Sequence, residues 1–126
     1  MRTPIAYAIG WPKRMQAPVE RLDLTKLSGL TFFEPDTIRF PALRLARMAL
    51  ETGGQAPCVL NAANEIAVAA FLKEQIAFLD IPRLVERTLS HHAKDDSFAR
   101  VVGSVDDVIA CDSVARRTAL AQIAGL

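Results

Sequence analysis

The sequence predicts a mainly α-helical protein: an antiparallel bundle of about four helices, preceded by a short helix and a partly extended arm. Hydrophobic residues make up 51% of the 126 residues and charged residues 23%, which excludes a disordered chain. Only 6% are aromatic, and Ala and Leu supply most of the apolar mass, which favours helices over a β-sandwich. After residue 36, apolar residues return every three or four positions, as on helices that bury one face.

The region before residue 37 predicts one short helix and then a connector. Thr3 followed by Pro4 is typical of a helix start, with a capping hydroxyl before a proline at the first helical position, and Pro12 should end this helix. Residues 19–24 alternate apolar and polar side chains as a half-buried strand does, and residues 27–33 carry a second short strand signal. We expect this arm to lie against another surface.

Four further helices are indicated by their start and stop signals. Pro41 begins the first, and the glycine pair at 53–54 ends it because glycine adopts the left-handed conformation of a C-cap. Pro57 begins the second, and Asp-Ile-Pro at 80–82 begins the third. Ser-Val-Asp-Asp at 104–107 resembles a capping box, with Asp in place of Glu, and begins the fourth. Because the loops are short, consecutive helices should pack antiparallel.

Composition also excludes several classes of function. Fifteen Lys and Arg against fourteen Asp and Glu leave a formal net charge of +1, without the basic excess that nucleic-acid binding requires. The longest apolar stretch, residues 56–72, is interrupted by polar residues and is too polar to span a membrane. No charged leader followed by an apolar run opens the sequence. We therefore expect a cytoplasmic protein that binds neither nucleic acid nor membrane.

One group of polar side chains shares a face of the second bundle helix. Asn61, Asn64 and Glu65 stand at i, i+3 and i+4. They form either a polar recognition site or a buried hydrogen-bonded cluster that ties this helix to a loop or to the arm, because buried amides need partners. We favour the second interpretation.

A second group holds the residue types that bind metals: His91, His92, Asp95 and Asp96. Adjacent histidines point in different directions from a helix, and no third ligand stands at a fixed spacing. A solvated helix end, where cationic histidine suits the helix dipole, is therefore favoured over a metal site or a metal-dependent hydrolase. The residues alone predict no metal ligand.

The remaining candidates have equally ordinary interpretations. Cys58 and Cys111 are far apart in sequence, with no nearby histidine, so we expect two small buried apolar residues rather than a disulfide framework or a reactive thiolate. Arg116 and Arg117 are expected on a solvated helix face. The glycine pair lacks a preceding strand and fits neither a dinucleotide fingerprint nor a P-loop. The sequence predicts no catalytic residue.

Ordered blocks along nearly the whole chain resemble the 1-deoxy-D-xylulose 5-phosphate reductoisomerase family. The blocks are MRTPIAYAIGWP at 1–12, LDL at 22–24, LTF at 30–32, EPD at 34–36, FPALRLA at 40–46, LNAANE at 60–65, FLDI at 78–81, SVDDV at 104–108 and ARR at 115–117. The resemblance implies a family that converts 1-deoxy-D-xylulose 5-phosphate to 2-C-methyl-D-erythritol 4-phosphate in non-mevalonate isoprenoid biosynthesis. It also implies NADPH and a divalent cation such as Mg²⁺ or Mn²⁺ as cofactors of the intact enzyme.

The resemblance further implies a division of the chain. Residues 1–14 would be the tail end of the catalytic domain, 15–36 a linker arm, and 37–126 the C-terminal helical bundle domain. The family's dinucleotide-binding and metal-binding residues would all lie before Met1. This chain would then be a structural part that supports the catalytic domain, holds no cofactor of its own and is inactive alone.

The resemblance leads to two further expectations, and one alternative function stands beside it. The family's methionine before Arg-Thr-Pro lies by the nicotinamide and the substrate, which implies that role for Met1; Met1 is alternatively an initiator methionine, or it is both. An arm without its natural packing surface would expose Trp11, Leu24 and Phe32 and drive self-association. The alternative function is a free-standing helical protein-interaction module that binds a partner through the arm or the asparagine–glutamate face.

Overall fold

The computed structural model describes residues 1–126 and contains helices but no strand. It divides into two units, Met1–Phe33 and Glu34–Leu126. The first unit consists of helix α1 (Arg2–Gly10), a single 3₁₀ turn (Leu24–Lys26) and otherwise irregular chain. No residue of α1 or of the 3₁₀ turn is buried.

Two predictions for the first unit are wrong. Thr3 is not a cap, because α1 begins at Arg2 and has no side-chain cap; Pro4 then takes the third position, where a missing N–H also costs nothing. Residues 19–24 and 27–33 form no strands. An alternating pattern becomes a strand only beside a partner strand, and this unit contains none.

The second unit holds the four predicted helices, which are α2 (Pro41–Thr52), α3 (Ala56–Leu72), α4 (Asp80–His92) and α5 (Val105–Ile123). Their start signals act as predicted, although Pro57 takes the second position of α3 rather than its first. The Ser104 hydroxyl accepts a hydrogen bond from the Asp107 N–H at 3.2 Å and donates one to the Asp107 carboxylate at 2.8 Å. This capping pair anchors the first turn of α5.

Helix α3 lies at the centre of this bundle and packs against each of the other three helices. Its fully buried face is small: Val59, Ala62, Ala63, Ala67 and Ala70. Larger apolar side chains come from the neighbouring helices, with Leu45 on α2 and Leu84 and Leu89 on α4. The core is therefore a seam of alanines on one helix into which leucines of its neighbours project.

Consecutive helices run antiparallel, as predicted, but α3 and α5 are adjacent and parallel. Cys58 of α3 contacts Val108 of α5, and Glu65 contacts Arg116 farther along both helices. The two helices therefore run in the same direction from their N-termini to their C-termini. Alanines of both helices, Ala62 and Ala63 on α3 and Ala115 on α5, are fully buried in one apolar cluster, and their small side chains permit close approach of the two backbones.

The turn between α2 and α3 is fixed by backbone contacts with the segment before α5. Gly53 and Gly54 have φ of 65° and 53°, a region that favours glycine. The cap residue Gly53 has ψ of −148°, so it does not adopt the left-handed C-cap conformation that was predicted. The Gln55 N–H donates to the Phe98 carbonyl at 2.9 Å. A Cβ on Gly54 would stand 2.6 Å from the carbonyl carbon of Ala99, so only glycine allows this approach.

We expect Ala67→Leu to destabilise the bundle by about 1–3 kcal/mol, because added methylenes at a fully buried position force its neighbours apart. The free energy of unfolding in urea measures the change. Ala69→Leu is the matched control: Ala69 lies on the same helix but is exposed, so its free energy of unfolding should stay close to wild type. Equal losses in the two variants would contradict the alanine seam.

Candidate functional site

A cluster of four polar side chains joins α3 to α5. Glu65 Oε2 accepts a hydrogen bond from Arg116 Nη2 at 2.6 Å, and Glu65 Oε1 accepts one from Asn61 Nδ2 at 3.0 Å. Arg116 Nε donates in addition to Asp112 Oδ2 at 2.7 Å. One arginine thus bridges carboxylates from two helices.

The charges of this cluster are fixed by its hydrogen bonds. Those donated by Arg116 and, next, by Asn61 hold the pKa of Glu65 below its ordinary value. The bonds to Asp112 and Glu65 raise the pKa of Arg116 above its ordinary value. Both side chains are ionised at neutral pH, so Glu65 is an ion-pair partner and not a poised acid or base.

The prediction that these side chains form a hydrogen-bonded cluster was correct, but the prediction of its burial and of its partner was wrong. Asn61, Asn64 and Glu65 are exposed rather than buried. Glu65, supported by Asn61, ties α3 to α5 rather than to a loop or to the arm, and Asn64 takes no part in this link. The Arg116 side chain keeps 34% of its surface exposed, as expected for a solvated helix face, and its two ion pairs hold it in place there. The spacing of Asp112 and Arg116 indicates their pairing within one helix. Nothing local in the sequence indicates Glu65 as the other partner.

The histidine pair ends α4 as predicted, but His92 is not a cationic group. His92 is half-buried, and burial first, then the neighbouring His91, lowers its pKa. His92 is therefore neutral at neutral pH, and its Nε2 has no hydrogen-bond partner. The nearby Asp95 carboxylate accepts the Ser97 N–H at 2.8 Å and shapes the following turn. No three His, Cys, Asp or Glu side chains gather in metal-binding geometry anywhere in the chain.

The two cysteines lie far apart in sequence but close together in the bundle. The Cys58 thiol donates to the Val108 carbonyl at 3.6 Å, and Val108 precedes Cys111 by one helical turn. Cys111 is 8% exposed, as expected of a small apolar residue, whereas Cys58 is half-buried. Burial and then the neighbouring Cys58 raise the pKa of the Cys111 thiol. Sequence reasoning missed this proximity because it depends on the pairing of α3 with α5.

In the first unit, Met1 stands apart from any other functional group. It immediately precedes α1 and is 92% exposed. Arg2 Nη1 donates to the Pro18 carbonyl at 3.0 Å, and the Tyr7 and Trp11 rings meet edge to face with centroids 5.6 Å apart. These contacts join α1 to the chain that follows it and leave the Met1 side chain without a partner.

Comparison with known proteins assigns the chain to a protein family. The family described as DXP reductoisomerase C-terminal domain matches residues 1–118. The chain belongs to this family. It is 55% identical over 124 residues to the 1-deoxy-D-xylulose 5-phosphate reductoisomerase of Rhodospirillum centenum, covering 98% of this chain and 30% of that protein. It is 50% identical over 126 residues to that of Zymomonas mobilis, covering 100% of this chain and 31% of that protein.

Solved structures agree with the family assignment. The Zymomonas mobilis reductoisomerase in complex with NADPH superposes with a TM-score of 0.85 at 50% identity, covering 96% of this chain and 31% of that one. A reductoisomerase in complex with NADPH, fosmidomycin and magnesium superposes with a TM-score of 0.82 at 38% identity, covering 97% and 31%. The chain therefore spans about 30% of the length of the relatives that it matches. No helix in it is long and apolar enough to cross a membrane.

We expect Glu65→Gln to remove stability at neutral pH but little in acid. A carboxyl whose pKa is lowered by folding stabilises the folded state above its unfolded pKa, about 4.3, and this contribution disappears as pH falls through the folded value. The gap between wild-type and Glu65→Gln urea midpoints should therefore close below about pH 4. Glu51→Gln, at an exposed glutamate without an ion pair, should follow wild type throughout. A pH-independent gap would contradict the assigned ion pair.

Proposed function

We propose that this chain is the C-terminal part of an enzyme that converts 1-deoxy-D-xylulose 5-phosphate to 2-C-methyl-D-erythritol 4-phosphate. NADPH and Mg²⁺ or Mn²⁺ would be the cofactors of that intact enzyme, in non-mevalonate isoprenoid biosynthesis. The observation that carries the proposal is the agreement between the family match over residues 1–118 and the TM-score of 0.85 to a reductoisomerase in complex with NADPH.

Within that enzyme, we infer that the bundle is structural and that the chain is inactive alone. Its polar groups are engaged in joining helices: Arg44 pairs with Glu86 at 2.8 Å, and Arg87 donates to the Gly125 carbonyl at 2.8 Å. Its carboxylates and histidines do not gather as metal ligands, so the residues present do not fit the divalent cation. A helical body held together in this way suits the support of a catalytic domain that supplies the reacting groups.

The same proposal divides the chain into the tail of the catalytic domain (1–14), a linker arm (15–36) and the bundle (37–126). The arm supports it through its surface. Phe32 and Phe33 are each 85% exposed, and Trp11 and Leu24 are exposed as well. Apolar side chains in such density normally pack against protein. We propose that the catalytic domain covers them in the intact enzyme and that a second copy covers them in the isolated chain.

Met1 is proposed to contact the nicotinamide and the substrate in the intact enzyme. Its support is its position directly before the Arg-Thr-Pro block and a side chain without a contact in this unit. A thioether can adapt to the flat face of a nicotinamide ring without competing for its hydrogen bonds. Its role would be to position the ring and not to take part in proton transfer.

A chimera tests the assignment. The matching C-terminal 31% of the Zymomonas mobilis enzyme is replaced by this chain, and oxidation of NADPH is followed with 1-deoxy-D-xylulose 5-phosphate and Mg²⁺. We expect an active chimera and no NADPH oxidation by this chain alone. Met1→Ala in the chimera should raise KM for NADPH and substrate more than Met1→Leu does.

The outcomes of the chimera experiment separate the parts of the proposal. A folded chimera without activity would contradict the assigned function, and activity of the isolated chain would contradict the structural role. Equal kinetics for Met1→Ala, Met1→Leu and the parent chimera would contradict the role of Met1. The Zymomonas mobilis enzyme without its C-terminal part provides the baseline.

Light scattering across protein concentration tests the arm. We expect the isolated chain to associate, and the double variant Phe32→Asp, Phe33→Asp to associate less, because charge on the arm opposes its burial. Ile38→Asp is the control, since Ile38 is 93% exposed but lies in the other unit. A wild-type monomer at every concentration, or an equal loss of association in the control, would contradict self-association through the arm.

A further inference from the structure

The two thiols of the chain meet where α3 and α5 run side by side. Cys58 lies in the first turn of α3, and its sulfur is 3.6 Å from the carbonyl oxygen of Val108. Cys111 follows Val108 by one turn on α5, and Cys58 packs against the apolar cluster that contains Cys111. Both cysteines are free thiols. The two cysteines therefore share one stretch of the α3–α5 contact, and a disulfide between them would require side-chain rotation together with a movement of the helices.

Both sulfurs can be reached by a small oxidant. An open cavity of about 420 Å³ lies between the end of α4, the segment before α5 and α5 itself, and Cys111 contributes to its wall. Cys58 does not line this cavity, but it is only half-buried, and its sulfur faces α5 at the Val108 carbonyl. A peroxide is little larger than two water molecules, so the cavity and the open side of Cys58 admit it.

From this geometry we propose that Cys58 and Cys111 form a modification site: a reversible disulfide that links α3 to α5 when a peroxide is present. The proposal does not depend on the enzymatic function assigned above. It identifies the oxidant by its chemistry and needs no further protein. The link would join the two parallel helices at the ends where they begin.

The reaction balances in two steps. The Cys58 sulfur attacks one peroxide oxygen, the O–O bond breaks, and the products are a sulfenic acid on Cys58 and one water. The Cys111 sulfur then attacks the Cys58 sulfur, the S–O bond breaks, and the departing hydroxide takes the Cys111 proton as a second water. Two thiols are oxidised to one disulfide, and the peroxide is reduced to two waters.

The order of the two sulfurs follows from their surroundings. Burial keeps Cys111 in its thiol form, which reacts poorly with free peroxide. Cys58 is the more exposed sulfur and therefore meets the oxidant first. Once Cys58 is oxidised, Cys111 is already in place, and this proximity compensates for its low reactivity.

The test is the treatment of the folded 126-residue chain with hydrogen peroxide, followed by intact mass, thiol count and peptide mapping without reduction. We expect loss of two hydrogens, loss of both free thiols, one cross-linked peptide pair containing Cys58 and Cys111, and full reversal by dithiothreitol. In Cys111→Ser, the oxidation should stop at a dimedone-reactive sulfenic acid on Cys58. In Cys58→Ser, Cys111 should stay reduced at the same peroxide concentration.

Three outcomes would overturn the proposal. These are two thiols that survive peroxide, oxygen addition at either cysteine without a link, or a disulfide between two chains. The wild-type mass and peptide map give a result even if a serine variant fails to fold.

Discussion

The alanine seam of α3 is the constraint on which the rest of the bundle depends. Interaxial distance between packed helices is set by the side chains at their contact, and alanines at that contact let the backbones approach closely. Ala62, Ala63 and Ala67 are fully buried on α3, and Ala115 and Ala119 are fully buried on α5. Across this contact Glu65 accepts a hydrogen bond from Arg116 at 2.6 Å, and the Cys58 thiol lies 3.6 Å from the Val108 carbonyl oxygen.

Parallel packing of α3 and α5 has an electrostatic cost, because the like ends of two helix dipoles stand side by side and repel each other. Helix α4 packs against both helices. Its Thr88 lies beside Gln122 and its terminal His92 shares a cavity wall with Cys111, so α4 runs antiparallel to the parallel pair and opposes their dipoles. Its Thr88, fully buried, donates to the Leu84 carbonyl at 2.8 Å and lies 3.3 Å from the Gln122 amide oxygen of α5. The bridge from Arg116 to Glu65 adds attraction between the parallel pair. Polar contacts here orient helices that the apolar core brings together.

The sequence predicts the helices of the bundle well because their limits depend on local chemistry. Pro41, the glycine pair and the Ser104 cap act on their own neighbours, so a linear reading finds them. The strand predicted in the arm was wrong, because alternation at residues 19–24 indicates a strand only if a partner strand exists. The polar cluster failed for a related reason, because the partner of Glu65 lies 51 residues away. A contact between two segments that are distant in sequence cannot be predicted from the local pattern of either segment.

This distinction between local and distant information also bears on the two units. The bundle buries leucines, alanines and a threonine among its own helices, so its fold is specified by contacts within residues 34–126. The first unit buries none of its large apolar side chains, and its helix has neither a buried residue nor a side-chain cap. A chain segment that gains so little from its own contacts takes its stability from whatever surface covers it. The structural role proposed for the bundle and the docking role proposed for the arm both rest on this difference in buried apolar area.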